Sequence, residues 1–479
     1  MKFSDSFNHG KGGKMSYVTL WVCLLITVTL LCLIKSGFNT AGALTLQISI
    51  WSNVLSTGQL NNTERQVRAK SPTFSFEDAQ VSDTSNEDEQ LLVGDVGVTC
   101  DYTGTDSDTC WIAGDIRVLT NSSTIMVASP LADQLSPSQN TTWKIRPYTR
   151  KQEVTTQKLV RELTVALTSQ PPRCTVNRST VPALFFSTGG FIGNYFHDFT
   201  DVIIPLFMTA RRFNGSVQFV VVDFSAAFMD KYRPILERLS DHPVIDMDGA
   251  DDAVRCFSHA HVGLLSHRVL GIDSSRSPDG VSVHDFRDFL RACFSLKRNF
   301  SSPSSKPRLL LILRKGPRSF VNEAEVVNTA GSLGFELIST TPEDADNLSL
   351  FARVVNSADV LVGVHGAGLT NMLFLPDHAT LLQIVPCCGM AMTAGNRYLF
   401  AEPALDMGLR YVDYEISEEE SSLIDMYPRG GAVFKDPASI QKEQGFVAFW
   451  NIYLNQQKVK LDVERFRSKL LDVLHIIKN

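Results

Sequence analysis

A chain of 479 residues, 44% hydrophobic and 20% charged, has an ordinary globular composition and is long enough for more than one core. A formal charge of −6 and a pI near 6.0 exclude the whole-chain basic field that nucleic acid selects, so any anion site must be local.

The N-terminus carries Lys2, Lys11 and Lys14 ahead of an apolar run without charge until Lys35. Residues 18–34 at ~1.5 Å each just span a thin bilayer, and the run exceeds the roughly 7–15 residues of a signal-peptide core. It is expected as an uncleaved anchor. Basic residues on its short side predict 1–17 in the cytoplasm and the body in the lumen. Asn-x-Ser/Thr acceptors at Asn61, Asn121, Asn140, Asn177, Asn214, Asn299 and Asn347 agree with a lumenal body. Cys23 and Cys32 fall in the apolar run. Cys100 and Cys110 bracket the polar loop CDYTGTDSDTC and are expected to pair, while pairings among Cys174, Cys256, Cys293, Cys387 and Cys388 stay open. No cysteine or histidine group has zinc spacing.

Residues 35–90 are polar, poor in aromatics and end in DTSNEDEQ, a composition that reads as a flexible stem. Short strand-like segments follow, and then an alternation: strand 181–186, helix 193–212, strand 217–222, helix 229–239, strands 244–246 and 254–257, helix 283–296. A Ser/Pro-rich linker at 299–307 interrupts it. A second alternation runs through strand 308–313, helix 322–333 capped by Asn322 with Glu325 as reciprocal partner, strand 335–338, helix 346–357, strand 360–364, a helical piece 369–375 and strand 379–385. The expected architecture is α/β: two Rossmann-like, doubly wound domains at 91–300 and 301–479, with ligands beyond the carboxyl ends of the strands.

His365-Gly366-Ala367-Gly368 lies where the apolar strand 360–364 gives way to a helical piece, a place where free backbone N–H groups favour an anion, here a phosphate. Asn371 follows one turn later. Strand 308–313 feeds Arg314-Lys315-Gly316-Pro317-Arg318, whose arginines suit bidentate phosphate contact. Glu402 is a candidate acceptor for ribose hydroxyls. In the first domain Gly189, Gly190 and Gly193 lead into a helix on whose wheel Asn194, His197 and Asp201 share a face, expected to point outward to the crevice. His197 with an acidic residue at i+4 has the makings of an oriented general base, and Asp198 is the competing candidate. Of the Asp-x-Asp pairs, Asp106/Asp108, Asp246/Asp248 and Asp344/Asp346, only Asp246/Asp248 sits at a strand end, and it reads as a polar turn.

The stretches FFSTGGFIGNYFHDFTDVIIPLF, RKGPRSFVNEAEV, VNSADVLVGVHGAGLTNMLFLP and EPALDMGLRYVDYEI, in this order, resemble plant members of glycosyltransferase family 61 that decorate xylan. The resemblance implies a GT-B-type pair of Rossmann domains, an inverting reaction without an obligatory metal or other cofactor, and a single-pass type II Golgi anchor. It places Asn194, His197 and Asp201 in the family's first-domain motif and His365 to Gly368 in its nucleotide-side motif. The expected substrates are UDP-xylose or UDP-arabinofuranose and a xylan acceptor, with other wall glycosyltransferases as Golgi partners. Where related sequences carry a Trp after Val-Pro, this chain reads Val385-Pro386-Cys387-Cys388, which leaves donor sugar and linkage open. The rival readings are a metal-dependent transferase using Asp246/Asp248 and a non-catalytic lumenal carbohydrate-binding protein.

Overall fold

Two strands with no polar face set the architecture. Ala183–Ser187 and Val360–Val364 are buried at every position, so both faces of their sheets must be covered. The computed structural model describes residues 89–478 apart from 94–95, 121, 135–140, 302–305, 342–343, 345 and 389–397. The expected anchor at 18–34, all but the last two residues of the expected stem, and Asn61, Asn121 and Asn140 lie outside the described residues. Among the described residues no helix is long and apolar enough to cross a membrane.

The first sheet is built from β1 (Glu89–Val93), β2 (Val96–Asp101), β3 (Thr109–Leu119), β4 (Thr124–Ala128), β5 (Thr142–Ile145), β6 (Leu163–Thr168), β7 (Val176–Asn177), β8 (Ala183–Ser187), β9 (Gln218–Val222), β10 (Ile245–Asp246) and β11 (Val254–Val262). Its main path runs β10-β9-β8-β11-β3-β4-β6-β5. The β10-β9-β8-β11 end is parallel throughout and is the Rossmann-like part; beyond it β11–β3, β3–β4 and β5–β6 are antiparallel, with one parallel pair, β4–β6, between them. A purely doubly wound first domain is therefore corrected to a mixed sheet. The physical reason is visible in the burial: β4, β5 and β6 alternate buried and less buried positions, as strands with one solvated face do, whereas β8 and β9 are buried throughout.

The second sheet is wholly parallel, in the order β13 (Glu336–Thr340), β12 (Arg308–Ile312), β14 (Val360–Val364), β15 (Thr380–Val385), β16 (Arg410–Glu415). Counted from β12 this is 2-1-3-4-5. The order reverses between β12 and β14, and in such sheets the ligand crevice opens beyond the carboxyl ends of the strands at that point.

Three local expectations are revised. The helix expected at 229–239 is two, Ala226–Lys231 and Arg233–Leu239, broken at Tyr232 just before Pro234, whose ring cannot continue a helix. The helix expected from 193 passes through a π segment, Asp198–Ile203. Asn322 precedes helix Glu323–Ser332 without a side-chain cap; its amide instead donates to Glu325 (2.8 Å) and to the Leu461 carbonyl (2.9 Å). Disulfides join Cys100 to Cys110 across β2 and β3, Cys174 to Cys256, and Cys387 to Cys388.

One buried apolar cluster runs through both halves, from Leu184, Phe186 and Phe199 to Leu361, Met372 and Phe374. Across it reaches Arg287, 0% exposed, from helix Val283–Phe294. Its guanidinium pairs with Asp377 (2.5 Å) and donates to the carbonyls of Leu375 and Met407. Burial pushes it down to about 10. Truncating one member of a buried charge pair costs about 3–5 kcal/mol because the partners lose their compensation. Arg287→Ala is expected to lower the unfolding free energy by that amount, read as a fall in the urea midpoint at unchanged m; a loss below about 1 kcal/mol would show that the bridge contributes little.

Candidate active site

At the β12–β14 switch point two loops converge. β12 delivers Arg314 and Arg318; β14 delivers His365 and Gly366. Gly366 has φ 148°, and a Cβ there would lie 2.7 Å from Nη1 of Arg314 and 3.0 Å from Nη1 of Arg318, so only a glycine lets both guanidiniums close over the turn. Arg318 Nη1 donates to the His365 carbonyl (2.6 Å), its backbone N–H to the Gln457 carbonyl (2.7 Å), and its Nε is buried without a partner. Burial pushes the pKa of both arginines down, and for Arg318 the neighbouring Arg314 charge pushes it further. Among the described residues neither has a carboxylate in ion-pair range. Two cations held half out of water with nothing to neutralise them form a site for an anion of more than one charge.

His365, 2% exposed, has Nδ1 3.0 Å from Nε2 of Gln383 and packs against Phe400 with ring centroids 5.4 Å apart. Burial, then Arg318 and Arg314, push its imidazole far below the ordinary value, so it is neutral. The helical piece expected at 369–375 is a 3-10 helix, Ala367–Phe374. Gly368 is small for packing: a Cβ would meet Ile312 Cγ2 at 3.2 Å. Asn371 donates to the Gly368 carbonyl (2.8 Å) and accepts from the Tyr195 hydroxyl (3.0 Å), tying this turn to the helix of the first half. Glu402 is exposed on helix Tyr398–Asp406, the helix that carries Phe400.

In the first half Asn194 caps the helix start, accepting from the Phe196 N–H (3.1 Å). His197 and Asp201 do pair, Nδ1 to Oδ2 at 2.9 Å, but they are 5% and 1% exposed. The expected outward face is therefore corrected. The wheel assumed a regular α-helix, and the wider π turn at Asp198–Ile203 rotates the residues after His197. The segment before β6 then covers them: Arg150 Nε lies 2.7 Å from both Asp201 oxygens, the Tyr148 hydroxyl donates to Oδ2 (3.0 Å), and Thr149 donates to the Asp201 carbonyl (3.0 Å). Burial opposes the charge on Asp201, but Arg150 and His197 outweigh it and hold the carboxyl below its usual value. Burial keeps the His197 imidazole below its own, against the pull of Asp201. The pair is thus neutral imidazole with carboxylate: Nδ1 donates to Asp201, and Nε2 carries the lone pair that accepts a proton.

Asp198 is engaged elsewhere, accepting from the Gly193 N–H (2.8 Å) and the Tyr232 hydroxyl (2.6 Å). Gly189 and Gly190 are filled by the protein itself: Cβ atoms there would meet the Leu159 carbonyl at 2.7 Å and the Tyr148 ring at 2.6 Å. Asp248 pairs with Arg161 and accepts from the Phe224 N–H (2.5 Å), and Asp246 accepts from the Asp248 N–H (2.8 Å), the bonding of a polar turn. Asn177, Asn214, Asn299 and Asn347 are all exposed.

Sequence reasoning missed Tyr148, Arg150, Gln383 and Tyr411. A buried Asp201 calls for a cation, but nothing local says which of 45 Lys and Arg residues supplies it.

The family model Glycosyltransferase 61 matches residues 195–382. Beta-1,2-xylosyltransferase XYXT1 of Oryza sativa subsp. japonica is 41% identical over 398 residues, 79% of this chain and 84% of the relative. Xylan glycosyltransferase MUCI21 of Arabidopsis thaliana is 36% identical over 82% of each chain. Alpha-1,3-arabinosyltransferase XAT3 of Oryza sativa subsp. japonica is 43% identical over 380 residues, 78% of this chain; the chain spans 64% of that relative's length.

Gly366→Ala tests the turn. The methyl group enters the space of both guanidiniums at a backbone angle L-residues rarely adopt, so affinity for UDP by calorimetry is expected to fall at least about tenfold while the far-ultraviolet dichroism is retained. Unchanged affinity in a folded variant would make the turn merely structural.

Proposed function

The chain belongs to glycosyltransferase family 61, and from that premise we propose that it moves a pentose, xylose or arabinofuranose, from a UDP-sugar to a hydroxyl of xylan. The observation that carries the reading is the pair Arg314 and Arg318, closed over Gly366 at the switch point of a parallel sheet with no carboxylate in ion-pair range among the described residues. The names of the relatives, which are xylosyl-, arabinosyl- and xylan glycosyltransferases, support the sugar and the acceptor. The two sheets are read as the halves of a GT-B arrangement. The anchor at 18–34 and a lumenal Golgi body belong to the same proposal, supported by the basic N-terminus and the exposed acceptors Asn177, Asn214, Asn299 and Asn347.

In the proposed reaction the acceptor hydroxyl gives its proton to Nε2 of His197. Its oxygen attacks the anomeric carbon from the side opposite UDP, the bond to the diphosphate oxygen breaks with inversion, and UDP leaves with the electron pair. The negative charge that develops there meets Arg314, Arg318 and backbone N–H groups already in place, which is where preorganised electrostatics lowers a barrier most. His197 becomes an imidazolium beside the ionised Asp201, whose own orientation Arg150 and Tyr148 hold. The reaction is proposed to proceed without a metal, because cationic side chains occupy the place where a divalent ion would neutralise the diphosphate and because Asp246 and Asp248 are committed to their turn. Incubating the full chain with UDP-xylose and UDP-arabinofuranose and xylo-oligosaccharides, with and without EDTA, is expected to give an acceptor heavier by one pentose in both cases. Product that vanishes with EDTA and returns with manganese would favour the metal-dependent alternative.

His197→Ala is expected to lower turnover by about 10² to 10⁴ with UDP affinity nearly unchanged, since the nucleotide is held by the other half. The wild-type acid limb carries a sign. Burial lowers the His197 pKa, so the base stays unprotonated as pH falls past the ordinary imidazole value of about 6.5. Turnover should hold through that pH and drop only below it. An acid limb above 6.5, or an alanine variant with normal turnover, would remove His197 from the role.

A further inference from the structure

We propose that Gln383 and Tyr411 are positioning residues that lock His365 in the tautomer with its proton on Nε2. The proposal rests on the reading that the turn after β14 holds the donor diphosphate, and it says which form of the histidine that turn presents.

The starting point is a residue out of place. Gln383 is 0% exposed in the middle of β15, whose other residues are Thr, Leu, Ile and Val. A buried carboxamide stays only where both its ends are satisfied. β15 pairs Gly363 with Gln383, and β16 pairs Tyr411 with Leu381. Because side chains alternate, His365 two residues past Gly363, Gln383, and Tyr411 opposite Leu381 fall on one face of three neighbouring strands as diagonal neighbours. The contacts follow: the Tyr411 hydroxyl donates to Gln383 Oε1 (3.2 Å), and Gln383 Nε2 lies 3.0 Å from His365 Nδ1.

The direction of this relay fixes the ring. With Oε1 facing the hydroxyl, the amide N–H faces Nδ1, and Nδ1 must offer a lone pair. The imidazole is neutral beside Arg314 and Arg318, so its one proton sits on Nε2. The other tautomer would leave a lone pair on the edge away from Gln383, which repels an anion. A phenol, an amide and an imidazole thus convert a neutral histidine into a fixed donor, at a place where an imidazolium would add a third positive charge to two already crowded ones.

The test uses the full chain labelled with ¹⁵N-histidine, without ligand, with His365→Asn to assign the signal. Because the tautomer is read in the unliganded protein, it is independent of whether the turn binds nucleotide. Wild type should show the Nε2–H pattern at neutral pH. Gln383→Leu should shift the populations toward a mixture and raise the dissociation constant of UDP about tenfold; Tyr411→Phe, which keeps the shape, should shift both in the same direction and by less. An Nδ1–H or imidazolium pattern in the wild type, or an unshifted tautomer in folded Gln383→Leu and Tyr411→Phe proteins, overturns the proposal. If wild type shows the Nε2–H pattern but does not bind UDP, the lock stands and the diphosphate reading fails.

Discussion

Two like charges held side by side at the carboxyl ends of β12 and β14 are the constraint around which the second half is arranged. Arg314 and Arg318 repel each other, and among the described residues neither is given a carboxylate. Each nearby peculiarity answers that pair. Gly366 has no Cβ because the guanidiniums occupy its place. Arg318 takes a left-handed backbone angle, φ 59°, and is held there by the Gln457 carbonyl. His365 must stay neutral, since protonation would put a third cation against them. In the proposed function, this uncompensated pair is what a diphosphate with several oxygens would neutralise.

The first half is built on the opposite principle. Its central charge, Asp201, is buried and fully compensated by Arg150, Tyr148 and His197. Removing a buried carboxylate from water is costly unless it is paired and hydrogen-bonded, and here both oxygens meet Arg150 while Oδ2 also meets Tyr148 and His197. The compensation comes from a segment about fifty residues upstream, which lies across the π turn. The two halves meet at the Tyr195–Asn371 hydrogen bond, and Phe196 approaches Phe400, with ring centroids 5.9 Å apart, next to His365. The turn after β14 is thus in direct contact with the residue two positions before His197.

What could be read from the sequence divides along the range of the interaction. The strand Val360–Val364 is legible to the residue, because an unbroken apolar run ended by a glycine turn leaves no alternative register. The convergence of Arg314, Arg318 and His365 follows from the parallel alternation, since each residue falls just past a strand. The His197–Asp201 pair was visible as an i, i+4 spacing, but not its burial, because the wheel cannot anticipate a π turn. Arg150, Tyr148 and Tyr411 were invisible, for their significance lies in partners far along the chain. The antiparallel part of the first sheet was also missed: β4 and β5 are short, and their alternation was not separated from the loops between them.

The two histidines give the clearest view of how one residue type takes two roles. Both are buried and both are neutral, so neither charge nor burial tells them apart. What differs is the atom facing Nδ1. For His197 it is a carboxylate, which demands a proton on Nδ1, leaves a lone pair on Nε2, and stabilises the imidazolium once a proton arrives. For His365 it is an amide N–H, which demands a lone pair on Nδ1, leaves a proton on Nε2, and makes further protonation unfavourable. In the proposed transfer the first accepts a proton on the acceptor's side, while the second offers one toward the leaving group. Exchanging the two Nδ1 partners would invert both roles without moving either ring, so direction in this site is set one shell behind the groups that meet substrate.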